Sequence, residues 1–189
     1  MSIKIFIDQG HNPRDFNTGA EGNGLFEQDI TYRIGVLLYN LFLADPEFEP
    51  RLSRPTEDTL LGTSNSSSLT ARVRLANSWG ADVFLSLHTN AATNPNASGC
   101  ETLVYSRAAT VAYGLAEDIV DELSLVTGLR NRGIVERPGL YVLRKTRMPA
   151  VLVEMGFISN SGDASLMNNS PELFAEGIYN GILQYTGLL

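Results

Sequence analysis

Short apolar runs alternate along this chain with stretches whose apolar residues recur every three or four positions, and the two periods predict its elements. Residues 3–8 read as a buried strand, apolar on both faces through Ile3, Ile5, Phe6 and Ile7. The following DQGHNPRDFNTGAEGNG is rich in Gly, Asn and Asp and reads as a long loop of functional character. A helical stripe of Ile30, Ile34, Leu37, Leu38 and Leu41 starts from Glu27, with Pro46 and Pro50 bounding its exit. A weak strand over 49–53 leads into the polar TEDTLLGTSNSSS, and a second helix begins near Ser68 with Leu69, Val73 and Ala76 on one stripe. A strand over 82–87, a polar loop over 88–98 and a strand over 100–105 follow. The spacing of Val111, Leu115, Ile119 and Leu123 predicts a helix over 108–127. Strands are expected at 140–144 and 150–154, and a last helix over 171–185 carries Leu173, Phe174, Ile178, Ile182 and Leu183. Strands alternating with helices of this length define an α/β class: a mostly parallel twisted β-sheet flanked by helices. With no repeat and no linker, the expectation is a single domain over 1–189.

Composition narrows the partners. At 189 residues the chain can bury a core without disulfides or a structural metal. Its one cysteine, Cys100, belongs to no metal-ligand spacing and reads as a packing residue beside Gly99. A net charge of -7 with no basic block argues against a nucleic-acid partner. No apolar run reaches the roughly 20 residues of a membrane span. The opening MSIKIFIDQG reads as a strand rather than a signal peptide, so work outside a cell would use another export route, as a phage lysin does, or a leader already trimmed.

The candidate chemistry lies at strand ends. Both histidines of the chain, His11 and His88, sit just past an apolar run. In open α/β sheets ligands bind beyond the carboxyl ends of the strands. There the first strand delivers Asp8 and His11, the 82–87 strand delivers His88, and AVLVEMGF delivers Glu154; Glu27 opens its helix just after the glycine-rich loop. Two histidines and a carboxylate around an open position form the recurring catalytic zinc arrangement. His11, His88 and Glu27 could supply it, but Asp8, Asp15 and Glu21 compete for the third place. Glu154, costly to bury unpaired, would then be the base that takes a proton from the zinc-bound water. Each residue also has a plainer reading. His11 suits a loop, His88 a partly buried cap, and Glu27 a helix start, where a carboxylate gains about 0.3–1 kcal/mol. GxGxxG, GxxxxGK[ST] and GxSxG are all missing, so phosphate-loop and covalent serine chemistry are poorly supported.

The motifs resemble the catalytic domain of zinc-dependent N-acetylmuramoyl-L-alanine amidases, the amidase-3 family. The resemblance runs from about residue 3 to about 185 through IDQGHNPRDFNTGA, GLFEQDI, LSRPTED, ARVRLAN, ADVFLSLHTNA and the quite specific RGIVERPGLYVLRKTRMPAVLVEMGFISN. By position it implies His11, Glu27 and His88 as zinc ligands and Glu154 as the catalytic glutamate, which resolves the choice of third ligand. Two departures are visible. Gln9 stands where proline is usual before Gly-His, and Ala71 where an acidic residue often precedes the helix arginine, here Arg72.

The reaction so implied is hydrolysis of the amide between the lactyl group of N-acetylmuramic acid and L-alanine in peptidoglycan, with Zn2+ as cofactor and Glu154 as base and then acid. Arg72 or Arg144 could assist an oxyanion or a stem carboxylate, though both read more simply as structural or surface residues. The competing readings are a zinc peptidase acting on the peptide stem and a non-catalytic wall-binding module. Peptidoglycan or a muramoyl peptide is the expected partner, with a wall-binding domain in a longer parent chain, and the cell wall is the expected place of action.

Overall fold

A computed structural model describes residues 2–189. In chain order its elements are β1 (Ile3–Gln9), β2 (Glu21–Gly22), β3 (Leu25–Phe26), α1 (Glu27–Ala44), β4 (Phe48–Leu52), α2 (Asn65–Trp79), β5 (Val83–Asn90), β6 (Cys100–Val104), α3 (Thr110–Thr127), β7 (Asn131–Glu136), α4 (Tyr141–Lys145), β8 (Ala150–Phe157), α5 (Ser161–Asn169) and α6 (Pro171–Thr186). Six strands form one sheet in the order β4-β1-β5-β8-β6-β7. Neighbours are parallel except at β6–β8, which pair antiparallel. The mostly parallel sheet flanked by helices is therefore the α/β architecture that the alternating periods predict.

Period-2 alternation gives each central strand two apolar faces, and helices cover both. On one face Ile5, Ile7, Leu85, Leu87, Val151 and Val153 pack against α1, α3 and α6. On the other, Phe6, Phe84, Leu103 and Leu152 meet Val73 and Ala76 of α2 and Val142 and Leu143 of α4. The α3–α6 contact is close because α6 carries glycine there: a Cβ at Gly181 would lie 2.5 Å from the Ile119 Cα. The N-terminus of α2 is fixed by a capping box between Ser64 and Ser67.

Several local expectations change. Residues 140–144 form most of the short helix α4 instead of a strand, closed by the bond from Arg144 N to Leu140 O at 3.0 Å. Five residues hold too few periods to separate helix from strand, and here adjacent Val142 and Leu143 both turn inward toward α2. The sheet edge is taken instead by β7, an exposed, charged strand with little apolar patterning. Asn160 caps the polar helix α5, which also lacked a periodic signal. The long first loop ends in the β2–β3 hairpin, whose second strand lies just past it, and β5 continues through His88 to Asn90. Among the described residues, no helix is long and apolar enough to cross a membrane.

Candidate metal centre

His11, Glu27 and His88 converge at the carboxyl end of the sheet, with one potential ligand atom from each lying within 4.8 Å of the others. β1 delivers His11 just past its end, β5 carries His88, and Glu27 is the first residue of α1. The two imidazoles meet edge to face with centroids 4.8 Å apart. Glu27 stands between them: its Oε2 is 3.2 Å from His11 Nε2 and its Oε1 is 3.1 Å from His88 Nδ1.

Backbone donors fix that carboxylate. Ala20 N donates to Oε2 at 2.8 Å and Thr89 N to Oε1 at 2.9 Å, so both oxygens are oriented before any cation arrives. Gly19 leaves room for this approach. It has φ +84°, and a Cβ there would fall 2.8 Å from both Glu27 Oε2 and the His11 ring. Burial alone would raise the Glu27 carboxyl, but its contacts with the His11 and His88 imidazoles hold it below the usual carboxylate range. For His88, burial is the largest influence and pushes the imidazole down, favouring the neutral, ligating form.

His11 is similarly prepared. Its Nδ1 lies 3.2 Å from the Asn17 carbonyl oxygen, which can only accept, so Nδ1 donates there and Nε2 is the nitrogen turned toward Glu27. The residue has φ +69°, a left-handed conformation that costs a non-glycine residue about 1–3 kcal/mol unless its surroundings enforce it. The donor set of two imidazoles and a carboxylate fits zinc well.

The other carboxylates weighed for this place are elsewhere. Asp15 and Glu21 are exposed outside the cluster. Asp8 is buried, and its oxygens accept from Arg72 Nη1 at 2.6 Å and Ser86 Oγ at 2.9 Å. Glu154 lies beside the cluster, opposite His88 in the β5–β8 ladder and opposite Glu101 in the β6–β8 ladder. Its Oε2 is buried and has no hydrogen-bond partner among the described residues. Burial, with the carboxylates of Glu27 and Glu101 nearby, pushes Glu154 up to about 8, against a weaker opposite pull from Arg137. Such a carboxyl is suited to exchanging a proton near neutrality.

The arginines divide. Arg72 is fully buried and bound to Asp8, so it is removed from any substrate. Arg144 is exposed on α4, in a cavity it shares with Pro149 and Ala150 at the amino end of β8, four residues before Glu154. A polar group flanking Glu154 has no counterpart in the periodic pattern: Glu101 accepts from Asn90 Nδ2 at 2.9 Å and Arg132 Nε at 3.1 Å. The signal for it is a glutamate inside the short buried strand CETLV, weaker than the one at Glu154 because Thr102 follows it.

An α/β sheet that gathers two histidines and a glutamate at its carboxyl edge, beside an orphaned buried glutamate, is the arrangement of a zinc metallohydrolase. A family model described as N-acetylmuramoyl-L-alanine amidase (Amidase_3) matches residues 5–184, and the chain belongs to that family. It is 37% identical over 183 residues to the N-acetylmuramoyl-L-alanine amidase CwlM of Bacillus licheniformis, covering 95% of this chain and 67% of that protein. It is 37% identical over 184 residues to LytC of Bacillus subtilis, covering 96% of this chain and only 35% of LytC. In structure it is similar to the N-acetylmuramoyl-L-alanine amidase of Clostridium difficile 630, with TM-score 0.88 and 32% identity, covering 98% of this chain and 97% of that one.

Proposed function

We propose that this chain is a zinc-dependent catalytic domain that hydrolyses the amide between the lactyl group of N-acetylmuramic acid and L-alanine in peptidoglycan. The observation that carries the reading is the pairing of the His11–Glu27–His88 cluster with an adjacent glutamate, Glu154, whose buried Oε2 has no partner among the described residues. His11 Nε2, Glu27 and His88 would hold the metal. Bound zinc would lower the pKa of its water and polarise the scissile carbonyl.

The chain's own residues supply the rest. Ala20 N and Thr89 N keep the Glu27 carboxylate aimed between the two imidazoles. The Asn17 carbonyl holds the proton of His11 on Nδ1. Glu154 takes a proton from the attacking water at its free oxygen and returns it to the alanine nitrogen as that amine leaves. An amine is a poor leaving group until protonated, so the same carboxyl serves first as base and then as acid.

Digestion of purified peptidoglycan tests the reading by its products. Intact stems with a new L-alanine amino terminus, together with muramic lactyl carboxylates, are expected. Cleavage inside the stem would instead identify a peptidase, and binding without products a wall-binding module. The wall, outside the cell, is the place of action in this reading, with a separate binding domain of a longer chain providing attachment.

A further inference from the structure

The catalytic machinery described so far does not use Arg72, one of the two largest fully buried side chains. An ion pair with Asp8 accounts for only part of its contacts. Nη1 donates to Asp8 Oδ1 and to the Gln9 carbonyl, each at 2.6 Å. Nη2 donates to the His11 carbonyl and to Asn12 Oδ1, the latter at 3.3 Å. One guanidinium fork therefore grips four of the five consecutive residues at the end of β1, and His11 is among them.

The same helix also reaches the His11 ring. Ser68, one turn before Arg72 on α2, accepts from Asn17 Nδ2 at 3.2 Å and from Arg72 Nε at 3.5 Å. Asn17 O in turn receives the His11 Nδ1 proton and the Asn12 backbone N–H, at 3.2 and 2.8 Å. Asn12 is pinned from the far side through both ends of its amide to Leu61. Thus α2 sets the backbone of His11 through Arg72 and the ring of His11 through Ser68 and Asn17. This is the over-determined surrounding that a left-handed histidine requires.

We propose that Arg72 is a positioning residue for metal binding: by gripping the carbonyl of His11 together with Asp8, Gln9 and Asn12, it holds His11 in its left-handed, ligating pose and so sets the zinc affinity. A lysine keeps the charge but offers no planar fork, so it can hold Asp8 and not all four groups at once. The inference rests on His11 being a zinc ligand.

The test measures zinc affinity of Arg72→Lys by competition with a chromophoric chelator, and the visible absorption of the cobalt(II)-loaded protein. Losing a partner that orients a ligand is expected to weaken zinc about 10–100-fold and to shift the cobalt bands. Leu115→Ala, a cavity variant in α3 on the other side of the sheet, serves as the control for lost stability alone and is expected to keep affinity and spectrum. Wild-type affinity and an unchanged cobalt spectrum in Arg72→Lys would overturn the proposal, as would an equal loss of affinity in Leu115→Ala. If Arg72→Lys does not fold, the Asp8→Asn/Arg72→Gln pair, which removes both charges together, carries the same measurement and the same two outcomes. His11→Ala separates the premise from the proposal. Stoichiometric zinc in that variant would overturn the ligand assignment itself, independently of residue 72.

Discussion

Glu154 faces His88 directly across the β5–β8 ladder, so one sheet register places the carboxyl beside the histidine cluster. Parallel neighbours in register point their side chains to the same side of a sheet. The proton-handling group and one proposed ligand are therefore spaced by the strand separation, a few ångströms, without any contribution from loops. Glu101 extends the row by one more strand, and its charge is one of the influences that raise the Glu154 carboxyl toward neutrality.

His11→Ala, Glu27→Ala and His88→Ala should each lose stoichiometric zinc, read by elemental analysis of the dialysed protein. Glu27→Ala should show the largest structural consequence, because it also strands the Ala20 and Thr89 donors. Each orphaned buried donor costs about 1–3 kcal/mol, measurable in denaturant. One tightly held zinc per chain in any of the three would count against the ligand set.

The Asp8–Arg72 pair predicts an acid dependence of stability. Burial by itself would raise the Asp8 carboxyl, but the Arg72 guanidinium and its hydrogen bond outweigh burial and hold it below the ordinary 3.8. A depressed carboxyl stabilises the fold above its unfolded pKa, and that contribution disappears as pH falls through the folded value. At neutral pH Asp8→Asn should destabilise by about 3–5 kcal/mol, since it leaves a buried guanidinium uncompensated. The gap between wild type and variant should narrow as pH is taken below 3.8. A gap independent of pH would contradict the assignment.

Much of this was legible in the sequence because it depends on periodicity. The apolar runs ending at Asp8, His88 and Glu154 are central strands, and Glu27 does open a helix. The choice of Glu27 over Asp8 was not legible from spacing, because it turns on Arg72, which is 64 residues from Asp8 and meets it only in the folded chain. The exposed edge strand β7 and the short helix α4 carry no apolar period to read, because tertiary packing decides their conformation. Polar residues at the end of a strand look like its termination, so the pattern places His88 and Asn90 in a loop, whereas β5 continues through both.

Gln9, just before Gly10 and His11, is built into the structure. Its N–H donates to Ser53 Oγ at 3.0 Å and its Oε1 accepts from Arg54 N at 2.8 Å. Proline can supply neither bond. Gln9→Pro should therefore lower stability by about 1–3 kcal/mol for the buried Arg54 N–H it strands, unless Arg54 and Ser53 are replaced with it. Denaturant midpoints of the variant would show this; a stabilised Gln9→Pro would contradict it.

Cys100 is fully buried, and burial pushes its thiol up to about 12. Only the thiolate is nucleophilic, so the native protein should resist alkylation at neutral pH and become labelled on unfolding. Mass spectrometry after iodoacetamide treatment reads the outcome directly. Rapid labelling of the native form would mean that β6 opens at a site where the structure shows it closed.

The central claim is that Glu154 moves the proton in amide hydrolysis by a zinc-loaded chain, and Glu154→Gln tests it most directly. The amide keeps size and polarity but cannot accept a proton, so the variant should fold, hold one zinc and lose activity about 10²–10⁴-fold. The measurement is the rate at which new L-alanine amino termini appear from purified peptidoglycan, made on protein whose zinc content has been verified. A folded, zinc-loaded Glu154→Gln that releases them at the wild-type rate would contradict the account.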